Sequence, residues 1–116
     1  MTIDRQIIFH GDYFNKFYLE QTERVQDKIG YVFKIIKTVE RIPEKFLKHL
    51  EGTDGLYEIR VESGSNTYRI FCCFDKGNLV VLFNGFQKKT QKTPKQEITL
   101  ADKLKKEYFN LKNKKK

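Results

Sequence analysis

Three apolar stretches in the second half of the chain have the length and composition of β-strands. Residues 56–61 (LYEIRV) alternate between apolar and polar side chains, and residues 68–75 (YRIFCCFD) follow after a turn sequence at 63–66. Residues 79–83 (LVVLF) are an unbroken apolar run, which predicts a strand buried on both faces. Asn84-Gly85 is expected to end that strand and to begin a polar loop. The pattern predicts a meander of three antiparallel strands.

The first half of the chain has helical spacing instead. A short apolar segment, Gln6–Phe9, predicts an edge strand, and Asp12 can cap the helix that follows. Thr22 can cap a second helix, which we expect to end at residues 41–43 because the residue before a proline avoids helical geometry. Two apolar stripes mark the helices: Phe14, Phe17 and Tyr18, then Val25, Ile29, Val32, Phe33 and Ile36. A helical hairpin that packs on the sheet is predicted.

Two further segments complete the order of elements. Residues 44–50 are predicted to form one short turn of helix. A C-terminal helix is expected to have Thr93 as its cap and Pro94 at its first position. Residues 112–116 are expected to fray as a basic tail. Residues 1–116 are therefore interpreted as one α+β domain, with a helical hairpin packed on a mostly antiparallel sheet and a C-terminal helix.

The basic charge lies almost entirely after the last predicted strand. Residues 1–85 contain 12 Lys and Arg and 12 Asp and Glu, whereas residues 86–116 contain 11 Lys against 3 acidic residues. The second segment therefore carries the whole net charge of +8. A segment of this kind attracts a polyanion: a nucleic acid, an anionic membrane or an acidic protein. For the KNKKK tail, a solubilising role is equally compatible with the pattern.

Several classes of protein are not indicated by the sequence. No run approaches the roughly 18 to 20 apolar residues of a membrane span, and the N-terminus does not have the pattern of a signal peptide, so a cytoplasmic protein is expected. Cys72 and Cys73 are adjacent and should point to opposite faces of a strand as reduced thiols. We see no metal-ligand spacing and expect neither a metal nor a cofactor.

Two arginines are predicted to share one face of the sheet. If Ile59 and Ile70 face the helices, Arg60 and Arg69 both lie on the opposite face. Guanidinium groups bind phosphate with a planar fork of donors, so this pair could hold a phosphate. Alternatively, the arginines pair with Glu58 and Glu62, and the pattern alone does not separate the two interpretations.

The chain resembles the RelE/ParE superfamily of bacterial type II toxins, and most closely its phage-derived Gp49-like, HigB-type branch. The residues that carry the resemblance are 50–61 (LEGTDGLYEIRV), 68–71 (YRIF) and 85–94 (GFQKKTQKTP). The predicted helices before and after these motifs fit the same layout, so that the resemblance covers roughly residues 6–110 of the chain.

The resemblance implies a toxin that cuts messenger RNA, usually on the ribosome, and a helix-turn-helix antitoxin of the HigA type that neutralises it. In this family, the ribose 2′-OH attacks the adjacent phosphorus and leaves a 2′,3′-cyclic phosphate, often without a metal. Position by position, the resemblance gives catalytic roles to Arg60, Arg69, Lys88 and Lys89. Glu58 stands where some relatives have a basic residue, and it could act as a general base or only buffer Arg60.

The resemblance also implies that Lys92 and Lys95 contact the RNA backbone. A tyrosine that follows the last strand in some relatives is missing here. Two alternatives remain open: a non-enzymatic toxin that binds a protein target, as ParE-type members bind gyrase, and an inactive relative that only binds nucleic acid. The basic residues favour the ribonuclease over the gyrase-type toxin.

Overall fold

A five-stranded sheet with helices on both faces organises the protein, and the computed structural model describes residues 3–114 of it. In chain order the elements are β1 (Gln6–Phe9), α1 (Tyr13–Leu19), α2 (Glu23–Thr38), β2 (Leu47–His49), β3 (Tyr57–Ser63), β4 (Asn66–Asp75), β5 (Leu79–Lys88) and α3 (Lys95–Lys114). The prediction of a small α+β fold with a helical hairpin, a mostly antiparallel sheet and a C-terminal helix is confirmed.

The strands lie in the order β1-β5-β4-β3-β2. Strands β2 to β5 form an antiparallel meander, and β1 pairs in parallel with β5 at one edge, as expected for Gln6–Phe9. The β3–β4 hairpin turns through Gly64-Ser65, and Gly64 has a φ of 62°, a left-handed conformation that glycine adopts without a steric penalty.

The helical hairpin covers one face of the sheet with the two stripes predicted from the sequence. Phe14 and Phe17 of α1 are buried, and the four residues Val25, Ile29, Val32 and Ile36 of α2 are buried with them. They pack in one cluster with Ile59 and Ile70 of the sheet. The Thr22 hydroxyl accepts a hydrogen bond from the Val25 amide at 3.3 Å, as predicted for a helix cap.

One capping interaction and one helix boundary differ from the predictions. Asp12 occupies the N-cap position of α1, but its side chain makes no capping hydrogen bond. Helix α2 ends at Thr38, before residues 41–43, because the extended backbone of Val39 stops the helical pattern ahead of the proline.

Helix α3 covers the other face of the sheet. Ala101 and Leu104 pack against Phe71, Val81 and Phe83 of the sheet. The helix begins at Lys95, one residue later than predicted, and the Pro94 carbonyl accepts a hydrogen bond from the Ile98 amide at 3.4 Å.

Residues 112–114 of the tail that was expected to fray form the last turn of α3. Lys112 and Lys114 are helical, and the Lys112 ammonium lies 2.7 Å from a carboxylate oxygen of Asp75, an attachment that holds the last turn on the sheet. Lys115 and Lys116 lie outside the described residues.

The prediction of a short helix at residues 44–50 is wrong. Leu47–His49 form strand β2, which pairs with β3 through Leu47 opposite Ile59 and His49 opposite Tyr57. Only residues 44–46 form a turn. The apolar spacing of this segment fits a helix or a strand, and pairing with the edge of β3 gives the backbone groups partners that the sequence does not reveal.

Strand β5 continues to Lys88, so Asn84-Gly85 does not end it as predicted. Gly85 pairs with Ile70 and lies under Phe17: a Cβ atom at this position would come within 2.7 Å of the Phe17 ring. The glycine therefore permits a close approach of α1 to the sheet.

A β-bulge interrupts the pairing of β5 with β4. Leu82 pairs with Cys72 and Gly85 with Ile70, so that Phe83 and Asn84 together stand opposite Phe71. The alternation of the strand is reversed beyond this point. Phe86 therefore packs in the cluster beneath α3, and Lys88 lies opposite Thr67 of β4.

The two cysteines are free and lie in separate hydrophobic clusters, as expected for neighbours in a strand. Burial raises the pKa of the Cys73 thiol to about 11 and also raises the pKa of the Cys72 thiol. Among residues 3–114, no helix combines the length and the apolar character needed to cross a membrane.

Candidate functional site

Arg60 and Arg69 are direct neighbours across strands β3 and β4. Their Cα atoms are partners in the antiparallel register, so the side chains leave the same face of the sheet. Phe71 of β4, on that same face, is covered by α3. The arginines lie beyond the covered area, because no residue of α3 lines the surface hollows next to them.

A single carboxylate holds both arginines. Glu58 Oε2 lies 2.9 Å from Arg60 Nε and 3.1 Å from Arg69 Nε. The side chains of Glu58 and Arg69 are only 6% and 7% exposed, whereas that of Arg60 is 28% exposed. Of the two interpretations left open, pairing with acidic residues is observed for Glu58. Glu62 forms no ion pair with either arginine within the described chain.

The ion pairs use only part of the donor capacity of the two guanidinium groups. Arg69 Nη1 donates to the Tyr68 carbonyl at 3.1 Å. Arg69 Nε is close to Glu58 but is not aligned for a hydrogen bond, and this enclosed atom has no other partner in the part of the chain that the structure describes. Among residues 3–114, Arg60 forms a side-chain hydrogen bond through Nε alone. Its two terminal nitrogens are therefore available to a ligand.

Burial disfavours the charge of Arg69. Loss of solvation lowers the pKa of its guanidinium, and the attraction of Glu58 only partly opposes this effect. An arginine nevertheless stays protonated at neutral pH because its ordinary pKa is far above 7. Arg69 is thus a buried cation with spare hydrogen-bond donors, an arrangement suited to an anionic ligand.

Two hollows in the surface meet at Arg69. The first, which we term the arginine hollow, has a volume of about 280 Å³ and is lined by Lys28, Tyr31, Lys45, Phe46, Arg60, Glu62 and Arg69. The second, the loop hollow, has a volume of about 400 Å³ and is lined by Thr67, Arg69, Lys88, Lys89, Thr90 and Gln91. Together they make a basic surface that crosses the end of the sheet.

The structure therefore brings together five of the seven residues predicted for the site: Glu58, Arg60, Arg69, Lys88 and Lys89. Lys88 joins the loop hollow because the bulge in β5 reverses the alternation of the strand. Lys92 and Lys95 are exposed, at the end of the loop and at the start of α3, and line neither hollow. Their predicted contact with RNA stays a prediction.

Four residues of the arginine hollow were missed in the sequence: Lys28, Tyr31, Lys45 and Phe46. The exposed position of Tyr31 could have been recognised, because it falls outside the buried stripe of α2 and three residues after Lys28. Lys45 and Phe46 could not, because they lie in the segment that was wrongly predicted to be helical.

A second buried carboxylate lies at the far end of β4. Asp75 accepts hydrogen bonds from the Tyr108 hydroxyl at 2.6 Å and from the Lys112 ammonium at 2.7 and 2.8 Å. These two partners lower the pKa of Asp75 to about 2. Burial, together with Asp75, raises the pKa of Tyr108 to about 12. The network fastens α3 to the sheet, and all of its members are engaged with one another.

Within residues 3–114, no three His, Cys, Asp or Glu residues come together in a way that could hold a metal ion. The candidate site thus consists of one carboxylate and a set of cationic side chains. Such a set can bind phosphate groups and can stabilise negative charge that develops on them.

The protein is a small α+β domain in which three helices pack on a five-stranded, mostly antiparallel sheet. The profile of the family described as phage-derived protein Gp49-like (DUF891) matches residues 16–106, and the chain belongs to this family, a RelE/HigB-like toxin family. A search of the curated proteins gave no significant match. Membership is consistent with a toxin of a toxin–antitoxin system and suggests an antitoxin as partner.

Proposed function

We propose that the protein is the toxin of a type II toxin–antitoxin system and that it inhibits translation as a ribosome-dependent messenger RNA endoribonuclease. The observation that carries the proposal is the pairing of Arg60 with Arg69, because their unused donors open on the arginine and loop hollows. A gyrase-binding toxin has no need for such a pair. A phosphate of single-stranded RNA would bind the terminal guanidinium nitrogens that Glu58 leaves free.

The reaction that fits this cluster is an internal transfer of the phosphoryl group. The ribose 2′-oxygen forms a bond to phosphorus while the bond from phosphorus to the 5′-oxygen breaks. The products are a 2′,3′-cyclic phosphate and a 5′-hydroxyl end. Negative charge grows on the non-bridging oxygens in the transition state, and Arg69 and Arg60 would stabilise it there.

Two protons must move during this reaction. We propose that Glu58 acts as the general base and accepts the proton of the 2′-OH. Its Oε2 contacts both arginines, and its Oε1 makes no hydrogen bond within residues 3–114. Lys88 or Lys89, in the loop hollow, would give a proton to the departing 5′-oxygen. These groups supply base, acid and positive charge from side chains alone, so the proposed reaction proceeds without a metal.

The remaining lysines would act on the RNA backbone beyond the cut. Lys92 and Lys95 are exposed and follow the loop hollow along the chain, so they would contact neighbouring phosphates. The proposed substrate is messenger RNA bound to the ribosome. A helix-turn-helix antitoxin of the HigA type would cover the basic surface formed by the two hollows.

The test is primer extension on a defined message in a translating extract, with wild type, Arg60→Ala and the control Arg41→Ala. Arg41 is exposed and lines neither hollow, so that the control removes the same charge elsewhere. We expect cuts at the ribosomal A site with 5′-hydroxyl ends from wild type and from Arg41→Ala, and few from Arg60→Ala. An intact message in the extract, together with growth arrest when the protein is induced in cells, would refute the ribonuclease and leave a gyrase-type toxin. An intact message without arrest in cells would leave an inactive nucleic-acid-binding relative.

A further inference from the structure

We infer that Tyr31 and Phe46 form a subsite that stacks a base of single-stranded RNA next to the phosphate held by Arg60 and Arg69. The inference rests on the proposed function and adds to it a place on the protein for a nucleobase. It concerns residues of α2 and of the turn before β2, outside the segments that carry the family resemblance.

Tyr31 is an aromatic residue that the fold leaves in solvent. Its side chain lies on α2 beside the buried stripe, and 54% of its surface is exposed. The ring meets Phe46 edge to face, with the centroids 6.3 Å apart and an angle of 75° between the planes. Phe46 is half-buried against the core and fixes the position of the pair. The face of an exposed, supported ring is a platform on which a base can stack.

Each of the two rings has a lysine beside it. The ammonium nitrogen of Lys28 lies 5.0 Å from the centre of the Tyr31 ring, and that of Lys45 lies 4.9 Å from the centre of the Phe46 ring. These lysines have long, flexible stems and can move from the rings to the phosphates that flank a stacked base. Aromatic faces interleaved with cations are the usual composition of sites for single-stranded nucleic acid.

The platform and the arginine pair share one hollow. Tyr31, Phe46, Arg60 and Arg69 all line the arginine hollow, in which the basic residues outnumber the single acidic one, Glu62. A nucleotide whose phosphate lies at the arginines could thus place an adjacent base on Tyr31. The volume of about 280 Å³ is close to the lower limit of roughly 300 Å³ for ligand pockets and suits one base rather than an element of a folded partner.

The other exposed aromatic residues lack this setting. Phe9 on β1 and Tyr13 on α1 are 57% and 42% exposed, and neither lines the arginine hollow or the loop hollow. No lysine or arginine stacks on either ring among the described residues. Tyr13 therefore provides a matched control: an exposed tyrosine of a helix, away from the arginines.

The absence of tryptophan from the chain gives a direct test of stacking. The variant Tyr31→Trp would contain one tryptophan, whose fluorescence is quenched when a base stacks on it. The ligand is a short single-stranded RNA with 2′-O-methyl groups, which the proposed reaction cannot cleave. We expect saturable quenching in Tyr31→Trp. We expect none in Tyr13→Trp, and none when the RNA is replaced by an abasic strand of equal length and charge.

Affinity measurements test the same point without a new fluorophore. Tyr31→Ala should bind the 2′-O-methyl RNA about 5- to 100-fold more weakly than wild type, the loss expected for one base stacked on an aromatic ring. Tyr31→Phe should keep the affinity because it keeps the ring. Binding of the abasic strand should be equal in all three proteins, since it depends on the cations alone.

The outcomes separate the subsite from the proposed function. If Tyr31→Ala binds the RNA as wild type does, or if the quenching in Tyr31→Trp also occurs with the abasic strand, the subsite is refuted. In that case the subsite is refuted even if Tyr31→Ala binds the antitoxin less well, because the two rings would then contact a protein and not a base. Cleavage by wild type in the translating extract would stand in either case. A wild type that neither binds the RNA nor cuts a message would refute both proposals.

Discussion

Two buried carboxylates, Glu58 and Asp75, lie in the same sheet. The networks around them differ in whether folding favours or disfavours the charge of a member. Asp75 receives hydrogen bonds from Tyr108 and Lys112, and these partners outweigh burial, so its pKa falls to about 2. Glu58 is shared by Arg60 and Arg69, and burial outweighs the attraction of Glu58 for Arg69, so the pKa of Arg69 falls as well. Folding thus favours the charge of Asp75 and disfavours that of Arg69.

The difference separates a structural network from a candidate functional one. The Asp75 network is complete within the protein and fastens α3 to the sheet. The arginine pair keeps donors that have no partner within residues 3–114, and it lines two hollows. A buried cation that costs stability and keeps its donors free is expected at a ligand site, because the ligand supplies the missing partners.

The largest effect is expected when the charge of Arg69 is removed. Arg69→Met keeps most of the buried volume but cannot stabilise the transition state, so cleavage in a translating extract should fall about 100- to 1,000-fold. Arg41→Ala removes an exposed charge and should cut as wild type does. A normal cleavage rate for Arg69→Met would mean that the pair plays no part in the reaction.

The second-largest effect is expected when the shared carboxylate is removed, which should lower both the cleavage rate and the stability. Glu58→Gln leaves two close cations without a counter-charge, and we expect a loss of about 3 kcal/mol in the free energy of unfolding. The loss should be partly recovered when the 2′-O-methyl RNA is added, because phosphates replace the carboxylate. Denaturant unfolding with and without RNA measures both effects. Cleavage by Glu58→Gln at the wild-type rate would contradict its role as the base.

The Asp75 network should contribute to stability and not to cleavage. Asp75→Asn should lower the free energy of unfolding by about 1.5–3 kcal/mol near pH 7. The pKa of Asp75 is about 2 in the folded state against 3.8 ordinarily, so the contribution is complete above about pH 4 and is lost as the pH falls towards 2. Unfolding curves at several pH values should therefore show wild type and Asp75→Asn converging in acid. A difference that stays constant down to pH 2 would contradict the assigned pKa.

The smallest effect is expected from the loop lysines. Replacement of both Lys88 and Lys89 by Ala should weaken binding of single-stranded RNA and reduce the dependence of log affinity on log salt by roughly 0.7 for each lost phosphate contact. The pair Lys103→Ala and Lys106→Ala on α3 removes the same charge away from the loop hollow and should leave the slope unchanged. Equal slopes for the two double variants would place the lysines of the loop outside the RNA site.

Much of the fold was predictable because single elements carry clear periodic signals. The stripe of α2 and the run of β5 each identify a buried surface. Strand β2 was not predictable, since its three residues gain their backbone partners only from β3. The end of β5 was predicted too early because Gly85 is typical of a break, whereas here the glycine makes room for Phe17.

The candidate site was predictable where it depends on alternation and not where it depends on contacts between elements. Arg60 and Arg69 follow the period of two in β3 and β4, and the register makes them partners. The position of Lys88 depends on the bulge at Phe83 and Asn84, which no local pattern indicates. The platform of Tyr31 and Phe46 requires α2 to pack beside β2 and β3, a contact that the sequence alone does not specify.

We propose that the arginine pair serves a ligand, whereas the Asp75 network serves the fold. Message cleavage and the free energy of unfolding, measured on the same preparations of Arg69→Met and Asp75→Asn, distinguish the two roles. We expect opposite effects on cleavage: Arg69→Met should lose cleavage, whereas Asp75→Asn should cut normally although it is less stable. Loss of stability without loss of cleavage in Arg69→Met would show that the arginine pair serves the fold and not a ligand.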